Sequence, residues 1–338
     1  RLEERAAVRR AMDDNEGAAA DLERVMACAN EAGRPDWEVR ALLKLSSVLF
    51  WTNHDRSLAV AGRAVDLSGK LSEPWLHAQA KGYRASRRIR LQGWSDNDFR
   101  DVVEAMEAAR AAGDRAFLGL HTMSYSFFQS DRSHYEEACA AANAGLEIAV
   151  ETNDSFLYVS CQYFKAWALL HSGRWGESLR LVRDGILVSE KNGHGTAATV
   201  LRMIQSRLHA QAFDFEEARE LALQSLVRAR EGFPRFITLI MLGEAHLGLG
   251  EHDRAADCFQ EVIERSREGP YRLDWIFHLP LYRALSQLWM ERGDFDRARE
   301  AALLLCRLAE QPGQRTYTGL ARCLLTEIAL AEGDMEEA

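Results

Sequence analysis

Apolar residues recur at three- and four-residue spacing along nearly the whole chain. They form blocks of roughly fifteen to twenty residues, broken by short stretches carrying Gly, Pro, Asn or Asp. The pattern predicts helices throughout, arranged as consecutive antiparallel pairs. Pairs are expected over 36–70, 73–112, 115–152, 155–192, 195–231, 234–268 and 271–311. Residues 1–31 read as a further pair, Arg1 to Met12 and Gly17 to Glu31, and a final helix is expected over 314–332. Turns are marked by Gly33-Arg-Pro35, Asn192-Gly-His-Gly195, Phe233-Pro234, Gly269-Pro270 and Pro312-Gly313. Pro280 falls inside the helix predicted for 272–292, where it must kink that helix or delay its start.

The pairs repeat. An aromatic residue or His, two polar residues and then Ala or Ser open a helix at Tyr135-Glu-Glu-Ala138, Trp175-Gly-Glu-Ser178 and Phe215-Glu-Glu-Ala218. The same pattern opens helices at His252-Asp-Arg-Ala255, Phe295-Asp-Arg-Ala298 and Met335-Glu-Glu-Ala338. The anchoring small residue therefore recurs at intervals of 40, 40, 37, 43 and 40. His54-Asp-Arg-Ser57 and Asn15-Glu-Gly-Ala18 continue the series upstream, and Phe99-Arg-Asp-Val102 is a degraded copy. Twelve positions before the six clear anchors stand Ser126, Ala166, Ser206, Gly243, Ser286 and Thr326, all small, as close packing of two helices demands. Gly173, Gly250, Gly293 and Gly333 suit left-handed helix ends. Asp294 and Asp334 are placed to cap the following helix and favour its positive end.

These residues resemble the tetratricopeptide repeat. The best copy runs Leu242-Gly243-Glu-Ala-His246, Gly250-Glu-His252-Asp-Arg-Ala255, Phe259 and Val262, where the family holds Leu-Gly, Tyr, Gly, Tyr, Ala, a large apolar residue and Ala. The resemblance covers essentially the whole chain and is weakest over 73–114. It departs from the family in a period near forty rather than thirty-four, and in lacking most of the helix-ending prolines. The fold expected is an all-α, α-α superhelix of about eight helix pairs, a single solenoid over 1–338. Because the chain opens within a helical pattern and stops at Ala338, four residues into a helix, a fragment of a longer multidomain protein is expected.

The net charge of −9 makes this a poor general binder of nucleic-acid phosphates. Arg far outnumbers Lys, which hints at a high-GC bacterial source. Six cysteines lie mostly within helical apolar patterns and none forms a CxxC pair, which reads as buried free thiols in a reducing cytoplasm. No apolar run reaches the ~18 residues of a membrane span. Phosphate-loop, dinucleotide-loop, HExxH, zinc-spacing and GxSxG patterns are all missing. Glu136-Glu137, Glu216-Glu217 and Glu336-Glu337 sit in first helical turns, where the helix dipole favours them, and their recurrence once per repeat argues against catalysis. His246 and His252 occupy aromatic positions of the repeat and read as packing residues. Asn192-Gly-His-Gly195 reads as an inter-repeat turn rather than an anion nest. No enzyme, cofactor or metal is expected.

Binding is expected on the concave face. Carried over from the family's groove positions, the lining residues are Met123 and Phe127, Tyr163 and Trp167, Met203 and Arg207, Ile240 and Glu244, and Arg283 and Gln287. Aromatics at helical spacing also suit a core, so both readings stand for Tyr163 and Trp167. A second candidate is the basic stretch Lys81, Arg84, Arg87, Arg88 and Arg90, flanked by Trp75, Tyr83 and Trp94, with Arg84 and Arg88 on one helix face. It would suit an acidic peptide, a carboxylate or a phosphate, or pair with Asp96, Asp98 and Asp101 on the next helix. The long repeat without proline resembles the sensor region of large ATP-binding bacterial transcriptional regulators, the maltose-regulon activator and LuxR-type activators. That resemblance implies a cytoplasmic regulatory region that takes a protein partner or small-molecule effector, without direct contact to nucleic acid or membrane. The alternative is a constitutive scaffold holding a partner peptide or helix in its groove.

Overall fold

In a computed structural model of the chain, described for all residues except 13, 51, 192–194, 230–231, 269–274 and 334–338, each predicted pair is present. The first helices are α1 (Leu2–Ala11), α2 (Asn15–Glu31), α3 (Pro35–Leu49), α4 (His54–Ser68), α5 (Pro74–Gln92) and α6 (Asp96–Ala112). The middle is α7 (Arg115–Asp131), α8 (Tyr135–Thr152), α9 (Ser155–His171), α10 (Trp175–Lys191), α11 (Gly195–Gln211) and α12 (Phe215–Arg228). The rest is α13 (Gly232–Gly248), α14 (His252–Glu268), a 3-10 turn Trp275–Phe277, α15 (His278–Glu291), α16 (Phe295–Glu310) and α17 (Arg315–Glu332). No strand occurs among the described residues. Pro280 is the third residue of α15, and the helix begins late, after the 3-10 turn. The proline delays the helix rather than kinking it, because a first-turn residue has no intrahelical N–H bond to lose. The 3-10 residues Trp275, Ile276 and Phe277 are all buried.

The turn before each of the six clear anchors has one shape. Five positions before the anchor the backbone is left-handed, at Gly173, Gly250, Gly293 and Gly333, and equally at Ser133 (φ 59°) and Phe213 (φ 60°). The non-glycine residues adopt this conformation at a cost that glycine avoids. Asp294 accepts from the Arg297 N–H as predicted, and Asp114 and Asp154 cap α7 and α9 in the same way. The weak segment 73–114 is an intact pair, α5 and α6. Its helices approach closely at Gly82, where an added Cβ would lie 2.4 Å from the Ala105 Cβ and 2.9 Å from His121.

The anchors do more than allow close approach. The Oγ of Ser126 donates to the carbonyl of Ala138, Ser206 to Ala218 and Ser286 to Ala298, at 2.7–2.9 Å. Where the small pair is reversed, Ser178 donates to Ala166 at 2.8 Å. In the pair Gly243 and Ala255, which has no hydroxyl, the space at Gly243 is taken by the Phe259 ring. His246 and His252, read as packing residues, bond Glu251 and Glu291 at 2.5 and 2.7 Å.

Asp334, Met335-Glu-Glu-Ala338, Glu336-Glu337, Gly269-Pro270 and most of Asn192-Gly-His-Gly195 lie outside the described residues. The cysteine expectation needs correction: Cys139, Cys161 and Cys258 are buried, but Cys28 and Cys323 are exposed, each on the solvent side of its helix. No helix among the described residues is long and apolar enough to cross a membrane.

The superhelix winds far enough that its end returns to its middle. The Ser133 Oγ donates to Gln314 Oε1 at 2.5 Å, and Gln314 Nε2 donates to the Ser130 carbonyl at 3.3 Å. Tyr135 Oη lies 2.6 Å from Thr316 Oγ1, across a sequence separation of 181. A seam of polar contacts thus joins the α7–α8 turn to the start of α17.

Candidate functional site

The inner side of the superhelix is lined by the first helix of each pair, and it divides into a filled half and an open half. In the filled half, Phe127, Tyr163, Trp167, Met203 and Arg207 are buried. They lie on the inner side, as the repeat predicts, but not against an open groove. The returning chain covers them: the Trp167 ring sits 5.6 Å from Phe277, and His171 sits 5.7 Å from Tyr317. The seam, which joins residues far apart in sequence, decides this; repeat register alone carries no record of it.

Arg207 is the hub of the filled half. Its Nη1 lies 3.1 Å from Glu244, its Nη2 donates to Tyr317 Oη at 2.9 Å, and its guanidinium stands 5.7 Å from the Trp167 ring. Arg283 completes a triad, donating to Glu244 at 2.8 Å. The side chains of Arg207 and Glu244 are only 3% and 4% exposed. Burial works against the Arg207 charge, but the Glu244 carboxylate and Tyr317 outweigh it and hold its pKa above the usual value. The charges are thus paired, although the Nε atoms of Arg207 and Arg283 are buried without a hydrogen-bond partner among the described protein atoms.

The basic stretch of α5 splits between two faces. Lys81 pairs with Asp101 at 2.7 Å and Arg88 with Asp98 at 3.4 Å, so this face is bound to α6. Arg84 is half-buried beside them. Asp96 instead accepts from Trp94 Nε1. Tyr83, Arg87 and Arg90, spaced four and three residues apart, point to the inner side. Arg87 lies over Phe50 at 4.7 Å, and Arg90 lies over Phe50 at 4.0 Å and Phe127 at 5.2 Å.

Here the inner side is open. A small cleft open to solvent, enclosing about 20 Å³, is lined by Ser47 of α3, Tyr83, Ser86 and Arg87 of α5, and Leu120, His121, Met123 and Ser124 of α7. Of the predicted groove residues, Met123 alone lines it. Tyr83 is 4% exposed and His121 2%, with ring centroids 5.3 Å apart. Neither Tyr83 Oη nor His121 Nε2 finds a partner among the described protein atoms. Burial pushes the Tyr83 phenol well above its usual pKa and lowers His121 to about 3, helped by the nearby Arg87 charge, so both are neutral near pH 7. At the rim, Arg10 donates to Ser47 Oγ at 3.2 Å and lies 3.6 Å from the Phe156 ring. Composition hides this site, since its Arg, Tyr, His and Ser belong to three successive repeats. The sequence signal was the α5 spacing of Tyr83, Arg87 and Arg90. No group of three or more His, Cys, Asp or Glu residues suited to a metal occurs among the described residues.

No protein-family model matches the chain, and no curated protein matches it. Solved structures do. NprR in complex with its cognate peptide NprX is similar over 97% of each chain, at 11% identity and a TM-score of 0.65. A Rap protein complexed with competence and sporulation factor is similar over 88% of each chain, at 14% identity and a TM-score of 0.59. Human IFIT1 with PPP-AAAA aligns with 98% of this chain and 79% of its own, at 10% identity and a TM-score of 0.54. At such identities the likeness is one of fold: the chain is a tetratricopeptide-like helical-repeat superhelix.

Proposed function

We propose that this chain is the effector-binding region of a regulatory protein, non-catalytic, taking its ligand on the inner side of the superhelix. The observation that carries the reading is the small inner-side cleft, where Tyr83 Oη and His121 Nε2 are buried without partners among the described protein atoms. The same fold is found in NprR with its cognate peptide NprX and in a Rap protein with competence and sporulation factor, which supports a ligand-binding role here.

Signalling needs two states with different ligand affinity. The polar seam between the α7–α8 turn and α17 supplies the element that separates them. Its hydrogen bonds help to close the superhelix, and opening it, which also parts Phe277 from Trp167 and Tyr317 from Arg207, would uncover Tyr163, Trp167, Met203, Arg207 and Arg283. A scaffold that holds a partner peptide along this second set is the alternative reading, and it is favoured if opening occurs without any effector. The finer assignment, to the sensor of a bacterial ATP-binding transcriptional regulator in the cytoplasm, rests on the long proline-poor repeat; so does the proposed wider context of a longer multidomain protein.

Small-angle scattering tests the reading. Gln314→Ala combined with Tyr135→Phe is expected to keep helicity and to raise the radius of gyration. An effector should shift the wild-type radius and lose that effect in the double variant. A radius unmoved by the seam substitutions rejects the two-state account.

A further inference from the structure

We propose that the inner side of the superhelix is a docking groove for a peptide with two bulky aromatic side chains two positions apart, and that Trp275 and Phe277 of this chain occupy the groove as an intramolecular plug. The proposal rests on the reading that the ligand is taken on the inner side, and it names that ligand's chemistry. Three observations carry it.

First, the segment is not built like the other connections. Successive pairs are joined by two to five residues elsewhere, but α14 and α15 are joined by nine, 269–277. The interval between the anchors Ala255 and Ala298 is 43, the longest of the series. Connections ordinarily run over the surface. Here Trp275, Ile276 and Phe277 are 7%, 3% and 0% exposed. Successive side chains of a 3-10 turn point in three different directions, so all three can be buried only where protein surrounds the segment.

Second, the surroundings belong to distant repeats. The Phe277 ring stands edge-on to Trp167 of α9 at 5.6 Å. Trp275 lies against Gly93, just after α5, where an added Cβ would stand 3.3 Å from the indole. Gly93 has a φ of 107°, a conformation that other residues rarely adopt, so the end of α5 leaves the indole its place. The turn shares one apolar cluster with Ile89, Phe127, Tyr163 and Trp167. Three of these, Phe127, Tyr163 and Trp167, are groove positions of the repeat. The plug therefore stands where a groove ligand would.

Third, the plug leaves donors unmatched. Trp275 Nε1 is buried without a hydrogen-bond partner among the described residues, and so is the Nε of Arg207, whose guanidinium stands by Trp167. Unmatched buried donors weaken the closed form. Displacement returns the indole N–H to water, and an incoming peptide brings backbone carbonyls that can accept from the groove.

Calorimetric titration of the full chain tests this. The probe is a synthetic peptide with the sequence of residues 275–280, Trp-Ile-Phe-His-Leu-Pro; its control has Ser in place of Trp and Phe. A tethered segment competes at an effective concentration in about the millimolar range, so wild type should bind the probe only weakly. Trp275→Ser with Phe277→Ser frees the groove and should bind it at least about ten-fold more tightly, because the competent fraction rises. Saturating probe should also raise the Tm of that variant. Should the double variant fail to fold, Phe277→Leu, which keeps most of the volume, carries the test with the same direction of change. A segment that is only structural lowers the Tm when substituted but gives no gain in binding. Equal affinity for wild type and variant, no binding to either, or equal binding of the Ser control overturns the proposal. If the probe fails while another ligand changes the radius of gyration, the plug is removed and the inner-side sensor reading stands. Tighter probe binding by the variant at a constant radius establishes the plug and removes the two-state reading.

Discussion

Replacing Glu244 with Gln should destabilise the closed superhelix more than any other single neutralisation on the inner side. The carboxylate is 4% exposed and serves two cations: Arg207 at 3.1 Å and Arg283 at 2.8 Å. Gln keeps the shape but removes the charge, leaving Arg207 buried among Trp167, Tyr317 and Met241. Breaking a buried pair by removing one partner costs about 3–5 kcal/mol. Arg283 is 20% exposed and can turn toward water, so the lower end, about 3 kcal/mol, is expected. At roughly 2–4 °C per kcal/mol, the Tm should fall by about 6–12 °C, with the smaller figure favoured by the length of the chain. Guanidinium unfolding gives the free energy and calorimetry the Tm. The control is Arg207→Met with Glu244→Met, which replaces the pair by apolar side chains and should lie within about 2 kcal/mol of wild type. A Gln variant within about 1 kcal/mol of wild type refutes the argument. So does a double variant as unstable as the single one, because the penalty would then come from packing rather than from a stranded charge.

The repeat hydroxyls are each worth an ordinary buried hydrogen bond: Ser126→Ala should cost about 1 kcal/mol in chemical denaturation. A loss below about 0.3 kcal/mol would make the small volume, not the hydroxyl, the selected property. Burial lowers His121 and His171 to about 3, against about 6.5 in an unfolded chain. Their contribution to stability is therefore full above about pH 6.5 and is lost as pH falls toward 3, at up to about 1.4 kcal/mol per pH unit each. Stability against pH for His121→Gln should be shallower than wild type between pH 6 and 4, and parallel curves would contradict the burial argument. Thiol labelling of the native chain should be fast at Cys28 and Cys323, and slow at Cys161 and Cys258, whose pKa values burial pushes up to about 12. Fast labelling of Cys161 would mean that the α8–α9 packing opens readily.

Local pattern settles everything here that has a local cause. The forty-residue helix pairs, the left-handed turn before each anchor, the capping Asp294 and the late start of α15 at Pro280 follow from periodicity, cap chemistry and backbone sterics. All of these act within a few residues. The solenoid extends that reach by one repeat, since each pair packs on its neighbour, which is why the fold class was legible along the whole chain. The hydroxyl bond from Ser126 to Ala138 was half legible: the spacing showed a small residue, but not that it donates. Three features needed the tertiary structure. The superhelix winds until Gln314 meets Ser133, and this closure converts Tyr163, Trp167 and Arg207 from groove to interior. Whether Arg84 and Arg88 face a ligand or Asp98 depends on how α5 packs against α6, which come close at Gly82 and Ala105. The cleft itself assembles from Ser47, Tyr83 and His121, one from each of three repeats. Repeat periodicity specifies how neighbours stack, whereas the small rotation per repeat, summed around the superhelix, specifies which distant residues meet. That sum is a property of the three-dimensional path, and no window of sequence contains it.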